Sequence, residues 1–256
     1  MASTRFSPRP GLRNLDRGIR KISSTYGRPA FLTYAAKSNG GLAVESPSER
    51  LVSQLLGLDP SVSSFQSQPL TLDLLQGELL HTVDDKARIR KRDRVRGESS
   101  RLYTPDFLSR NTLGVSTAIE VKTEGWAGDT GYQRTLLRAR DVLRSHHINF
   151  IQVVIPSHWC HPLLTNAPLL HQASKRIDHR PDSALMEKLE LLADAGASTL
   201  GDYCSGVGFD ARMAPVLIVF GALKVDVLNL PLKSSTPAEL AYGDLGHLCV
   251  MEALGQ

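Results

Sequence analysis

Tyr103, Thr104, Pro105, Asp106, Phe107 and Leu108, followed after a turn by Ile119, Glu120, Val121 and Lys122, are the two stretches around which this 256-residue chain is read. Asp106 and Glu120 are 14 residues apart, a separation two adjacent antiparallel strands span while holding both carboxylates at one end of a sheet. Side chains alternate along a strand, so Glu120 and Lys122 share a face while Val121 points the other way, into a core. Two carboxylates and the Val121 carbonyl are hard oxygen donors of the kind Mg²⁺ or Mn²⁺ prefers. Lys122 adds a point charge suited to stabilising a pentacovalent phosphate or orienting an attacking water. The bland alternative is a turn aspartate at Asp106 and a surface ion pair between Glu120 and Lys122.

Around these stretches the hydrophobic period switches between that of helices and that of strands. Leu51, Val52, Leu55 and Leu56 recur at helical spacing over 49–57, and Asp59 with Pro60 ends that helix. Glu49 at its start is a candidate outer carboxylate, for a second ion or a metal-bound water. Leu70, Leu72 and Leu74 alternate with polar neighbours behind Phe65, which predicts a strand within 63–75. Further strands are expected at 101–108, 116–122 and 150–155, and a helix at 130–147 carrying Leu136, Leu137, Val142 and Leu143 on one face. This order makes an α/β/α sandwich around a mixed sheet. The polar stretch 173–183, with Pro181, reads as a linker. Beyond it, helices at 184–195, 199–206 and 212–221 precede the alternating Leu223, Val225 and Val227, which predicts a small winged-helix-like domain, with a plain helical bundle as the alternative.

Composition narrows the function classes. Hydrophobic residues make up 41% and charged residues 22%, enough for a packed core, and no apolar run approaches the roughly 18 residues that cross a bilayer. Cys160, Cys204 and Cys249 form no CxxC pair and no disulfide framework, which points to a reducing compartment. His158, Cys160 and His161 lack the second ligand pair of a zinc site. No serine-hydrolase or P-loop pattern occurs. The net charge of +4 hides an uneven distribution: seven Lys and Arg against one Asp over 1–28, eight against four acids over 84–101, and a net negative remainder. Such local fields attract polyphosphates, although a solvated tail and a solvated hairpin would look the same. The Arg- and Ser-rich start also has the composition of a transit peptide, but Pro8, Pro10, Gly11 and Gly18 break an amphipathic helix. The 84–101 segment, expected as a loop or hairpin, flanks the strand that ends at Asp106. Its Arg88, Arg90, Lys91, Arg92, Arg94 and Arg96 are candidate phosphate contacts. Gln133, Arg134 and Arg138 are further candidates, with an exposed helix face as the alternative. Gln68 and Tyr103 flank the proposed site as packing or hydrogen-bonding residues.

The Pro-Asp and Glu-x-Lys pair, in this order of elements, resembles the signature of PD-(D/E)xK nucleases. Longer blocks resemble the TnsA-type transposon end-cleaving endonucleases. They are Glu45, Ser46, Pro47, Ser48, Glu49 and Arg50; Leu58, Asp59, Pro60, Ser61 and Val62; Gln68, Pro69 and Leu70; the two stretches quoted first; and the run from His161 through Pro162, Leu163, Leu164 and Thr165 to Asn166. The resemblance covers roughly residues 1–175 in blocks. It implies a basic arm over 1–28, a restriction-endonuclease-like α/β/α domain over 29–175 with the basic insert 84–101, and the winged-helix-like domain over 183–256. It also implies a Mg²⁺-dependent endonuclease, with Mn²⁺ as a substitute, that cuts the 5′ ends of a transposon in double-stranded DNA. A DDE-family transposase and an AAA+ ATPase regulator would be its partners, the latter on the C-terminal part, in the bacterial cytoplasm at the nucleoid and away from membranes. Glu49, Asp106, Glu120 and Lys122 fall on the family's active-site positions, with Asp106, Glu120, the Val121 carbonyl and Glu49 as metal ligands. Some members carry Gln where Glu120 stands. A non-catalytic DNA-binding or assembly subunit, and a restriction or repair nuclease of the same fold, are the other readings.

Overall fold

The computed structural model describes residues 15–16, 31–38, 40–99, 101–126 and 128–255, and mixes α-helices with short sheets. Apart from β1 (Leu15–Asp16), the basic arm expected over 1–28 lies outside the described residues. β1 runs parallel to β3 (Gly40–Val44), which pairs antiparallel with β2 (Phe31–Ala35), giving the order β1-β3-β2. Leu42, Ala43 and Val44 are buried, whereas Leu32 and Tyr34 of β2 face outward, so apolar residues occupy both faces of β2 and mask its alternation. α1 (Pro47–Leu58) follows, with Leu51, Val52, Leu55 and Leu56 all buried, the face its period predicts.

The next strands form a kinked antiparallel ribbon. They are β4 (Val62–Ser67), β5 (Thr71–Asp73) and β6 (Glu78–Leu80), then, after α2 (Val83–Val95), β7 (Leu102–Tyr103), β8 (Phe107–Asn111) and β9 (Ser116–Thr123). α3 (Thr130–Ser145) leads to β10 (Ile148–Ile155). One sheet has the order β10-β9-β8-β4 and another β6-β5-β7, so the single strands expected within 63–75 and over 101–108 are each split between two sheets. Both chain segments cross side by side. Ser67 faces Phe107 and Leu72 faces Tyr103, five residues along one strand against four along the other. The surplus residue makes a bulge, and Pro69 and Pro105, which have no N–H to offer a ladder, mark the break. Gln68 takes up the bend at φ +45°, and its N–H donates to the Asp106 carbonyl at 2.9 Å. Thr71 and Thr104 join hydroxyls across the same corner at 2.7 Å.

The 84–101 segment is a helix over most of its length, not the loop or hairpin expected. Thr82 and Asp85 form a reciprocal capping box, and acids at the start with Arg92 and Arg94 in the last turn suit the helix dipole. α2 has little apolar surface with which to dock: Ile89 is fully buried, and Arg92 bridges the buried carboxylates of Asp73 at 2.8 Å and Asp93 at 2.7 Å.

The carboxyl ends of β9 and β10 meet, since Glu124 N–H donates to the Ile155 carbonyl at 2.8 Å. That is the parallel arrangement required of strands joined by a helical crossover. Leu136, Ala139, Val142 and Leu143 of α3 pack with Leu70, Leu72, Leu74, Tyr103 and Ala118. Leu137, expected on that face, is 61% exposed, because three- and four-residue steps from Leu136 land on Ala139 and Leu143.

Two compact units divide the chain. The first draws on residues 1–50, 62–121 and 127–152, the second on 51–61, 122–126 and 153–256. In the second, α4 (Pro162–Ala173), α5 (Ser183–Asp194), α6 (Leu200–Gly206) and α7 (Ala214–Val219) precede a two-stranded antiparallel ribbon. Its strands are β11 (Leu223–Lys224) and β12 (Glu239–Leu240), and α8 (Met251–Leu254) follows. The buried Asn166 of α4 donates to the carbonyls of Val227 at 2.9 Å and Leu230 at 2.7 Å, and accepts from Leu232 N–H at 3.3 Å. No helix among the described residues is long and apolar enough to cross a membrane.

Candidate active site

Register explains the 14-residue spacing. The β8–β9 ladder pairs Phe107 with Ile119, so one step further Asp106 stands across from Glu120 at the ribbon corner. Asp106 Oδ2 accepts the Val121 N–H at 2.8 Å, which fixes the carboxylate against the partner strand. At the far end the hairpin closes through Asn111, whose Oδ1 accepts from Leu113 and Val115 N–H at 3.0 and 2.8 Å.

Glu120 is buried, and both its oxygens accept phenolic hydroxyls: Oε2 from Tyr103 and Oε1 from Tyr132, each at 2.5 Å. Burial, then the Glu120 charge and its hydrogen bond, hold the Tyr103 phenol well above its ordinary pKa. Burial and the bond to Glu120 also raise that of Tyr132. Both phenols therefore keep their protons and act as donors, and the negative charge of Asp106 adds to the effect on each. Tyr132 is set by its surroundings: Asp129 caps α3 by accepting its N–H at 2.7 Å, and any side chain added at Gly128, φ +71°, would collide with the Tyr132 ring.

Glu49 occupies the first turn of α1 and is buried. Its Oε2 accepts the Glu45 N–H and its Oε1 the Ser46 hydroxyl, both at 2.8 Å. Burial raises its pKa above the ordinary carboxylate value, opposed by those two bonds and reinforced by the charges of Glu45 and Glu120. Glu120 thus stands across from Asp106 and next to Val121, and its charge is the weakest of the influences felt at Glu49. Lys122, two residues beyond Glu120 in β9, sets its ammonium 4.6 Å from the centre of the Trp126 ring.

The expected phosphate contacts divide. Arg88, Arg90, Lys91, Arg94 and Arg96 are exposed, as are Gln133 and Arg134. Arg92 is drawn inward to Asp73 and Asp93, whereas Arg138 is exposed and donates to the Leu74 carbonyl at 3.1 Å.

Glu49, Asp106, Glu120 and the Val121 carbonyl suit a hard divalent cation in kind. Carboxylate oxygens accept more than one bond each, so the tyrosines orient Glu120 without exhausting it. Among the described residues, no three His, Cys, Asp or Glu side chains converge as a closed metal site would. Tyr132 is the site residue that the sequence reading passes over. It stands one place before Gln133 in a helix whose cations draw the eye, and only the Gly-Asp turn ahead of it marks the position. Compared with known proteins, the chain matches no family model and no curated protein.

Proposed function

We propose that this chain is a metal-dependent DNA endonuclease with a restriction-endonuclease-like α/β/α sandwich. In this reading it is the subunit of a heteromeric transposase that cleaves the 5′ ends of a transposon. The observation that carries the reading is the ribbon corner, where Asp106 stands across from Glu120 and Glu49 feels the Glu120 charge. Asp106, Glu120, Glu49 and the Val121 carbonyl would hold Mg²⁺ or Mn²⁺, which when bound supplies Lewis acidity and a more acidic water. The chain's own groups do the positioning. Tyr103 and Tyr132 fix the plane of Glu120, Val121 N–H fixes Asp106, and Gln68 N–H pins the Asp106 backbone. Lys122 offers its ammonium to a phosphate oxygen.

Double-stranded DNA would meet the exposed cations of α2 and the start of α3 through its backbone. The succession of α5, α6, α7 and the β11–β12 ribbon supports the winged-helix-like reading of 183–256 as the part that meets a DDE transposase or an AAA+ regulator. Such a protein would work in the bacterial cytoplasm, at the nucleoid. A second reading, a non-catalytic assembly subunit on the same fold, is favoured by one observation, the tyrosine hydroxyls on both Glu120 oxygens.

Strand-specific cleavage of transposon-end DNA, assayed with Mg²⁺ and the partner transposase, tests the assignment. Asp106→Ala should abolish 5′ nicking while leaving DNA binding in place. Retained nicking would remove Asp106 from the site, and a wild-type chain that assembles on DNA without nicking it would favour the second reading.

A further inference from the structure

Trp126 and Trp159 are the two tryptophans of the chain, and both lie on the surface, 52% and 81% exposed. Tryptophan is on average among the more deeply buried residues, and exposing an indole forgoes a large hydrophobic gain. These two stand on neighbouring loops of the second unit, Trp126 just after β9 and Trp159 just after β10. Glu124 ties the loops together. Its N–H donates to the Ile155 carbonyl at 2.8 Å, and its carboxylate accepts the Ser157 N–H at 3.2 Å and the Ser157 hydroxyl at 3.4 Å. Both loops therefore leave the sheet side by side at the carboxyl ends of parallel strands, the edge at which open α/β sheets receive ligands.

Charge and shape select the partner. The Lys122 ammonium lies over the Trp126 ring, and His158 and His161 flank Trp159. Glu124 is the sole acid in 122–126 and 156–161, and Ser157 engages it. An anchor residue in a protein interface is ringed by close-packed neighbours. Along the chain the adjoining residues are Thr123, Gly125, Ser157, His158 and Cys160, small or polar, with Gly125 at φ +84° turning the chain just before Trp126. Exposed indoles beside a cation are what base stacking with phosphate contact requires. We propose that Trp126 and Trp159 form a stacking platform for unpaired DNA bases, with Lys122 meeting the adjoining phosphate. The proposal rests on the nuclease reading for its ligand and adds a grip on the frayed or single-stranded end that cleavage creates.

Because the chain has two tryptophans, its emission on selective excitation of tryptophan reports on these positions and no others. The full chain would be titrated with oligothymidylate and with a duplex bearing a 5′ overhang, while the anisotropy of a labelled strand reports binding separately. Both DNAs should quench the emission more than a blunt duplex does. Trp126→Ala and Trp159→Ala should each weaken single-strand binding by roughly 5- to 150-fold, the range for losing one stacked base, and Trp126→Phe should restore much of it. DNA binding by anisotropy with unchanged emission and unaltered variants would overturn the platform and leave the nuclease reading standing. No binding of any DNA by the wild-type chain would overturn both. Emission that shifts with the partner transposase, and not with DNA, would make the pair a protein interface and overturn the proposal.

Discussion

Removing the Tyr132 hydroxyl separates its bond to Glu120 from the packing of its ring. Tyr132→Phe keeps the ring against Gly128 but leaves the buried Glu120 Oε1 one donor short. A hydrogen bond to a charged group contributes about 1.5–3 kcal/mol, so urea unfolding should show a loss of that order. Cleavage should fall as well, because Glu120 then loses one of the two phenols that orient it. A variant with unaltered stability and cleavage would mean that the contact is idle. Tyr103 was visible in the sequence as a flanking residue because it adjoins Thr104 and Pro105, and its bond to Glu120 follows from the pairing of β5, β7, β8 and β9. Tyr132 was not, since its role depends on a loop that brings the start of α3 back to β9, and no spacing in the chain records that return.

α2 shows how a charged helix can be anchored by very few groups. With Ile89 as its fully buried apolar side chain, its attachment leans on Arg92 between Asp73 and the equally buried Asp93. Removing one member of a buried charge cluster leaves the others uncompensated. Arg92→Ala is therefore expected to raise amide exchange along the whole of α2 and to weaken DNA binding, though Arg92 faces inward. Arg90→Ala with Arg94→Ala should act differently: stability is retained, and the salt dependence of DNA binding becomes shallower by about 0.9 in the log–log slope per lost phosphate contact. Exchange mass spectrometry and binding at several salt concentrations tell the two apart. The helix was hidden in the sequence because a single buried apolar residue creates no period. Its real signal was the Thr82-to-Asp85 capping box, easily lost beside the run of cations that follows.

The division of the chain into units carries its own prediction. Asn166 of α4 satisfies its buried amide with Val227, Leu230 and Leu232, and Leu55 and Leu58 share a small apolar void with Leu163, Val227, Leu248 and Val250. A chain truncated after residue 182 would lose all those C-terminal partners, leaving the amide unsatisfied and the apolar faces of α1 and α4 bare. It is expected to aggregate or to be digested rapidly by trypsin, where the intact chain survives; a stable, monomeric truncation would overturn this. Much of the architecture is legible in the sequence. α1, α3 and β10 follow from hydrophobic period, and the pairing of Asp106 with Glu120 follows from simple strand arithmetic. The kink between sheets is not, because a bulge of one residue at Gln68 changes which sheet a strand joins without changing its composition. The ribbon corner also separates what may change length from what may not. Asp106 and Glu120 are brought together at the base of the β8–β9 hairpin, and Leu113 at its tip is 86% exposed. Residues added at that tip would lengthen the gap in sequence without parting the carboxylates, whereas deleting Gln68 would throw β5 out of step and turn each of its side chains to the opposite face. The hairpin tip is accordingly a natural place to graft a label or an affinity tag, and a sequence search for relatives gains by letting the Asp-to-Glu distance float while holding the corner fixed.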